Sequence, residues 1–378
     1  MRSLIVAGFV LIVLLLSVML GKKNKFFADR FLILYLTFAA LREMYIYVEY
    51  SGVLEESYWM LLGKGIYLLH APFFFLYVYA LTVQKNLQPK FYVIIFSPFI
   101  IYVFHFFYYY FRVFDHVFLS VEKGLVYVNG KTSISWLIFS VLFLIIEPLF
   151  LIVSYYLLKG YKKRLLESVS NTDRIHLNWL YVLFYVWLVT TVVLVPIGTL
   201  TVGGGWFSVG LLQILIEIGS VAFFFIVGFY GFRQTTIFTD LKLEEDSLIK
   251  VTSGNYERSG LSSRQAKEYH LQLLKLMEEK KPWLNGELTA GELSQLLGIS
   301  ANHLSQVLNK EQKQNFFDFV NSYRIKEVIL KMRDPACSHL TLLAMALDSG
   351  FNSKTSFNTV FKKTTNKTPS QYFRSPAK

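Results

Sequence analysis

Seven long apolar stretches fill the first 232 residues and constrain the fold more than any other feature. They lie at about 4–20, 31–50, 60–83, 91–111, 135–158, 179–200 and 206–232. Each is near or above the roughly 20 residues that a helix needs to cross a bilayer core. The first is the shortest and could pass for a secretory leader. It has no small-x-small cleavage pattern before Lys22, so it reads as a retained span. The pattern predicts an all-α chain that opens with a polytopic, seven-span helical membrane bundle over 1–232.

The loops orient that bundle. With the N-terminus outside, the inner loops hold 11 basic residues: Lys22, Lys23, Lys25 and Arg30, then Lys85 and Lys90, then Lys159, Lys162, Lys163, Arg164 and Arg174. The outer segments hold Arg2, Arg112, Lys123 and Lys131. The positive-inside rule selects this arrangement, which places the chain in the inner (cytoplasmic) membrane and delivers residue 233 to the cytoplasm. The longest outer loop, 112–133, reads as a hairpin: GLVYV and KTSIS flank Asn129-Gly130, a strong turn pair between alternating apolar residues.

Ionisable groups interrupt the spans. Arg42 and Glu43 sit midway along the second, His70 precedes Pro72 in the third, His105 lies in the fourth, Glu147 precedes Pro148 in the fifth, and Glu217 is in the seventh. Charged groups in hydrocarbon are costly and mark functional positions by default, so Arg42, Glu43, His70, Glu147 and Glu217 are the candidate sensing residues for a signal ligand of unknown chemistry. The bland alternative is that Arg42 pairs with Glu147 or Glu217 and merely locks the bundle. Pro72, Pro98, Pro148 and Pro196 are expected to kink their helices.

Residues 233–284 form a cytoplasmic link, polar and broken by Gly254 and Gly260 before a helix that starts near Ser263. That helix carries Ala266, Tyr269, Leu273, Leu276 and Met277 on one stripe. The stripe either dimerises the chain or packs on the C-terminal region, and packing is favoured.

The C-terminal region, 285–378, holds two short helix pairs. In LTAGELSQLLGISANHLSQVLNKE, from Leu288, the apolar positions Leu288, Leu293, Leu296 and Leu297 lead to a turn at Gly298-Ile299 and an N-cap at Ser300. Leu304, Val307 and Leu308 then face inward. Asn302, Ser305, Gln306 and Asn309 are left outward, with His303 at the flank. In the second pair, Leu340, Leu343, Ala344 and Leu347 recur at helical spacing, Ser349-Gly350 stops the helix, and Asn352-Ser353 opens another. With Phe357, Val360 and Phe361 inward, Lys354, Thr355, Asn358, Thr359 and Lys362 face out. This second outward face has no carboxylate to repel phosphate. Asn and Gln match the adenine edge, and Ser or Thr pair with several bases. Between the pairs, Asn315–Met332 reads as one amphipathic helix with Phe316, Phe319, Val320, Tyr323 and Val328 on its apolar side. Residues 310–378 carry 12 basic against 5 acidic side chains, which suits a polyanion.

The span from about Asn285 to Arg374 resembles the DNA-binding domain of the AraC family of transcription regulators. The residues that carry the likeness are Gly350-Phe351, Phe357, Phe361-Lys362-Lys363 and Thr368-Pro369-Ser370-Gln371-Tyr372. The resemblance implies two helix-turn-helix units joined by one long helix, with the second helix of each unit entering a major groove of double-stranded promoter DNA. It also implies RNA polymerase as a partner and a homodimer as a candidate assembly. Asn366 stands where the family usually has Gly, a role Asn can take because it tolerates the left-handed conformation. Ser349 replaces a usual apolar residue, and Phe373 separates Tyr372 from Arg374.

Motifs for catalysis are absent: there is no Walker loop, dinucleotide fingerprint, HExxH or G-x-S-x-G. The single cysteine, Cys337, excludes an internal disulfide and any multi-cysteine metal site. No enzyme activity, cofactor or metal is expected. The leading reading is a membrane-anchored one-component transcription regulator that binds DNA in a sequence-specific way under control of a signal sensed by the bundle. The rival is a membrane transporter or membrane enzyme that uses the helix-turn-helix domain as an interaction module. A third reading is a constitutive tether that does not sense.

Overall fold

The computed structural model describes residues 1–23, 25, 27–52, 59–83, 86–113, 119–122, 125–128, 131–171, 178–189, 209–233 and 261–374. They divide into two compact units. One comprises residues 1–161 and 177–235; the other comprises 162–176 and 236–378.

The first unit contains α1 (Arg2–Gly21), α2 (Phe27–Ser51), α3 (Trp59–Lys64), a 3₁₀ turn (Gly65–Leu69), α4 (His70–Thr82), α5 (Pro89–Val113), the larger part of α6 (Ile134–Ser168), α7 (Asn178–Leu188) and α8 (Val209–Arg233). Among the described residues, six helical segments are long and apolar enough to cross a membrane; the third of these is the run Trp59–Thr82. The sixth expected span is represented by the shorter α7, and its remainder lies outside the described residues. α6 runs 35 residues, well past the expected end of its apolar stretch at 158.

Packing in this unit follows the helical period. α1 buries Ile5, Gly8, Ile12, Leu15 and Met19 at intervals of three and four, against α2 and α8. Glycines permit that approach: a Cβ at Gly8 would lie 2.7 Å from a Val221 methyl group on α8. The opposite face of α1 exposes Val6, Val10, Val13 and Leu14. The expected bend near Pro72 takes the form of the 3₁₀ turn just before α4. Pro72 itself falls in the first turn of α4, where its missing N–H is tolerated. α5 and α6 continue through Pro98 and Pro148, and Pro196 lies outside the described residues.

Three short antiparallel strands, β1 (Leu119–Glu122), β2 (Leu125–Val128) and β3 (Lys131–Thr132), qualify the all-α expectation. Val128 pairs with Lys131, the register a two-residue Asn-Gly turn requires, although Asn129 and Gly130 themselves lie outside the described residues. β1 was not expected from the alternation. It pairs with β2 from Leu119 to Glu122.

The second unit is built around two adjoining cores. α9 (Ser263–Lys280) starts on a capping box formed by Ser262 and Gln265. It buries Ala266, Leu273, Leu276 and Met277 against Leu293, Leu304, Val307, Leu308, Phe316 and Phe319. The amphipathic stripe therefore packs on the first helix pair, the favoured alternative. That pair is α10 (Ala290–Leu296) and α11 (Ala301–Val307). α12 (Phe316–Arg333), capped by Asn315, is the expected long connector. The second core gathers Ile325, Val328, Ala346, Phe351, Phe357, Val360 and Phe361 from α12, α13 (Leu342–Leu347), α14 (Lys354–Thr365) and the turn between the last two. α15 (Pro369–Arg374) closes it by setting Tyr372 edge-on to Phe361, ring centroids 5.4 Å apart.

One apolar face differs from expectation. In α13 the buried residues are Met345 and Ala346, while Leu343 and Leu347 are exposed. Six residues amount to less than two turns, too few for a period to fix the phase. Leu296 is likewise 48% exposed at the end of α10.

Candidate nucleic-acid interface and buried ionic cluster

Each helix pair is set by its turn and its cap. Gly298 (φ +67°) and Gly350 (φ +88°) take left-handed conformations that let the chain reverse between helices. The two differ in room. A Cβ at Gly298 would meet no described atom within 4 Å, whereas a Cβ at Gly350 would collide with the Trp283 carbonyl oxygen. Ser300 caps α11 by accepting from the His303 N–H, and Ser353 caps α14 by accepting from the Ser356 N–H. Asn366 ends α14 at φ +58°, the left-handed role read for it from the sequence.

These constraints fix which side chains face out. On α14 Lys354, Thr355, Asn358, Thr359 and Lys362 are all exposed, as are Lys363 and Thr364, on a helix with no acidic residue. Neighbouring Lys363 is engaged with Asp318, Nζ to Oδ1 2.6 Å. In the first pair, Asn302 and Asn309 are exposed, while His303, Ser305 and Gln306 are half-buried. Three of this group make hydrogen bonds within the protein. The Gln306 side-chain carbonyl accepts from the Leu261 N–H at 3.2 Å, and Ser305 Oγ accepts from Asn309 Nδ2 at 3.3 Å. The Gln306 bond ties α11 to the start of α9, a tertiary contact that the outward period of α11 could not reveal.

A larger polar constellation lies at the junction of the two pairs, and no motif or period announced it. Arg324 on α12 is 1% exposed. Its Nε donates to the Trp283 carbonyl (2.8 Å). Nη1 donates to the Ser170 carbonyl (3.1 Å) and Asn321 Oδ1 (3.2 Å), and Nη2 donates to Ser170 Oγ (3.0 Å) and the Asn285 carbonyl (2.7 Å). A guanidinium has five N–H donors, and five bonds are made. Burial pushes Arg324 down to about 10, opposed by the negative charge of Glu287, so it stays charged at neutral pH. The only sequence signal was its place inside an otherwise apolar helical stripe.

The first unit holds the other cluster. Arg42 pairs with its neighbour Glu43 and with Glu217 on α8 (Nη2 to Oε2 3.5 Å), and also donates to Ser220 Oγ (3.4 Å). Tyr67 lies under the guanidinium, 5.4 Å from its ring centroid. Of the two partners read for Arg42 from the sequence, the structure forms the Glu217 pair. Glu147 instead accepts from Trp187 Nε1 (2.6 Å) and faces His70 Nδ1 (3.4 Å). The expected set thus separates into Arg42, Glu43 and Glu217 on one side, and His70 with Glu147 on the other. One oxygen on each carboxylate, Oε2 of Glu43 and Oε1 of Glu147 and Glu217, is buried with no hydrogen-bond partner among the described residues. Among the described residues no group of three or more His, Cys, Asp or Glu could hold a metal ion.

The helix pairs described above fall within residues 293–375, which match the helix-turn-helix domain family, apart from the first turn of α10. Relatives include uncharacterized HTH-type transcriptional regulators of Staphylococcus aureus strains COL and N315. Each is 36% identical over 86 residues, which cover 23% of this chain and 11% of the relative. The chain thus spans about a tenth of the length of the curated relatives it matches. No solved structure gives a significant match. The chain carries a helix-turn-helix domain over residues 293–375.

Proposed function

We propose that this protein is a membrane-anchored, one-component transcription regulator. Its C-terminal unit binds promoter DNA sequence-specifically through α11 and α14. The carrying observation is the outward face of α14: Lys354, Thr355, Asn358, Thr359 and Lys362 are exposed together on a Ser-capped helix without a carboxylate. Such a face offers cations to phosphate and amide or hydroxyl groups to base edges. Asn302 on α11 and Asn309 in the turn that follows it fill the same role, with His303 and Ser305 at the margin and the Gln306 amide nitrogen contributing beside its bond to Leu261. Two units on one duplex would read major grooves about 10 base pairs apart.

The anchor is the N-terminal unit. Six long apolar helical segments, exposed apolar side chains such as Val93 (63%) and Phe104 (71%), and the basic bias of the inner loops support insertion with the N-terminus outside. Sensing belongs to the buried carboxylates, whose unpartnered oxygens favour rearrangement when a signal arrives. DNA, the lipid bilayer and RNA polymerase are the implied partners, a homodimer the candidate assembly, and no catalytic step is assigned. Titrating the full chain in detergent micelles with duplex DNA selected from a random-sequence pool tests the reading. Sequence-selective binding that weakens with salt is expected. Binding indifferent to both sequence and salt would overturn it.

A further inference from the structure

The C-terminal unit includes a segment that is remote in sequence. Residues 162–176, the end of α6 and the residues that follow it, belong to it and not to the apolar unit. Their contacts are specific. Val169 forms an antiparallel bridge with Thr289, the N-cap of α10. Both the backbone N–H and the hydroxyl of Ser170 donate to the Leu288 carbonyl, at 3.2 and 2.7 Å. The Ser170 carbonyl accepts from Arg324 Nη1 (3.1 Å) and Asn321 Nδ2 (3.0 Å), and its hydroxyl accepts from Arg324 Nη2 (3.0 Å). Ser170, Asn321 and Arg324 are each 1% exposed.

The place of this contact gives it a consequence. Arg324 also holds the Trp283 and Asn285 carbonyls ahead of the first helix pair. Its guanidinium lies 6.0 Å from the ring centroid of Phe351 in the turn of the second pair. One side chain therefore links the approach to the first pair, the connector, the turn of the second pair and the 162–176 segment. Without that segment, three of the donor bonds around Arg324 and Asn321 lose their acceptor, and a buried donor left unpaired is costly.

We propose that the segment around Ser170 is an intramolecular docking strand for the DNA-binding unit, and that α6 acts through it on the junction between the two helix pairs. The partner this surface fits is a short extended backbone that offers one carbonyl and one small hydroxyl to Arg324. α6 runs without a break from Ile134 to Ser168, so a shift along its apolar part reaches Ser170 one residue after the bridge at Val169. Seating or release of the strand changes how Arg324 holds the two pairs together, and DNA affinity depends on that geometry. This rests on the DNA-binding reading above for its output, but the docking itself does not.

The test uses the full chain in lipid vesicles with Cys337→Ser as background. Val169→Cys combined with Thr289→Cys, exposed to mild oxidant, should form an intramolecular disulfide. A reference pair, Val169→Cys with Ser338→Cys, should react roughly tenfold more slowly or worse, because proximity sets the rate. Ser170→Tyr, too large for its fully buried position, should bring the first pair down to the reference rate. It should also shift the affinity of the full chain for selected duplex DNA about fivefold or more. Ser170→Ala keeps the backbone acceptor, so it should retain the cross-link and shift affinity less. Ser170 lies outside both hydrophobic cores of the unit, and thermal unfolding of each variant shows that the helix pairs stay folded before the affinities are compared. Equal rates for the two cysteine pairs would overturn the docking. A cross-link that forms as expected, with DNA affinity within twofold after Ser170→Tyr, would overturn the coupling. If the unaltered chain failed to bind DNA, the regulator reading would fall while the cross-linking rates still decided the docking.

Discussion

The two units each bury one arginine, and they do so in opposite ways. Arg324 in the C-terminal unit faces only neutral acceptors, three backbone carbonyls, one amide oxygen and one hydroxyl, and all five of its donors are used. Arg42 in the apolar unit faces two carboxylates, each of which keeps one buried oxygen with no partner among the described residues. A saturated site has one good arrangement and resists change. A site with unmet acceptors gains from any rearrangement or ligand that supplies a donor. With the 162–176 segment seated the first is a rigid junction, whose saturation is lost only when Ser170 leaves; the second suits a switch of its own. On this contrast, substitutions at Arg324 should be felt as lost stability and those around Arg42 as altered response.

The largest expected effect is therefore at Arg324. Arg324→Met keeps the length of the side chain but takes the donor from the buried Trp283 and Asn285 carbonyls and Asn321 Oδ1, while the Ser170 carbonyl keeps only its bond from Asn321. About 3–5 kcal/mol of stability in the C-terminal unit should be lost. Limited proteolysis of the full chain in detergent across a temperature series would show it. A loss below about 1 kcal/mol would mean water replaces the guanidinium freely and the site is not saturated in the sense argued.

Next come the two turn glycines, which separate local strain from packing. Gly298→Ala meets an open site, so only the left-handed conformation opposes it, at about 1 kcal/mol. Gly350→Ala has the same conformational cost and also drives a Cβ into the Trp283 carbonyl, beside Arg324. About 3 kcal/mol is expected there. Equal thermal shifts for the two variants would show that the second pair relaxes away from the junction.

How much of this was legible beforehand depended on whether a feature was local. Caps and turns were: Ser300, Ser353, Gly298, Gly350 and Asn366 act through their own backbone and neighbours, and each stands where the pattern put it. Long periodic helices were too, as α12 and its buried Phe316, Phe319 and Val320 illustrate. Short elements were not. α13 offers six residues, and Met345 and Ala346 turned inward in place of Leu343 and Leu347. Nor were contacts that join distant parts of the chain. Nothing in KKRLLESVSN marks Ser170 as the partner of a residue more than 150 positions away, because backbone carbonyls leave no trace in composition. Gln306 illustrates the same limit within the candidate interface. Its side chain reads as an outward base contact, yet its carbonyl is held by the Leu261 N–H.

The apolar unit offers the third prediction. Glu217→Gln removes one of the two carboxylates facing Arg42 but keeps the shape, and the new amide can supply a donor to Glu43. If the cluster sets the balance between two states, the substitution should shift signal-dependent reporter transcription by about 5- to 150-fold, the range of a 1–3 kcal/mol coupling. DNA binding by the C-terminal unit should be unaffected. Reporter output in cells making equal amounts of each variant decides it, and unchanged induction favours a plain tether.

The smallest effects belong to the DNA face, where two neighbours on α14 should fail in different ways. Asn358 is exposed and uncharged, so its contribution is to base edges. Asn358→Ala should weaken the selected sequence by roughly 1–3 kcal/mol and leave random DNA nearly unaffected. Lys362, one turn further along the same exposed face, has no ion pair among the described residues, whereas Lys363 is held by Asp318. Its ammonium is available to phosphate, and a phosphate contact carries no sequence information. Lys362→Ala should therefore weaken selected and random duplexes alike and flatten the plot of log affinity against log salt by about 0.9, the release of one counterion. Lys363→Ala, by contrast, should leave that slope closer to its original value, because its charge is already engaged. Titrations at three or more salt concentrations separate the two lysines. A slope change for Lys363→Ala as large as that for Lys362→Ala would mean that the Asp318 pair opens on DNA and that the phosphate-binding face extends toward α12.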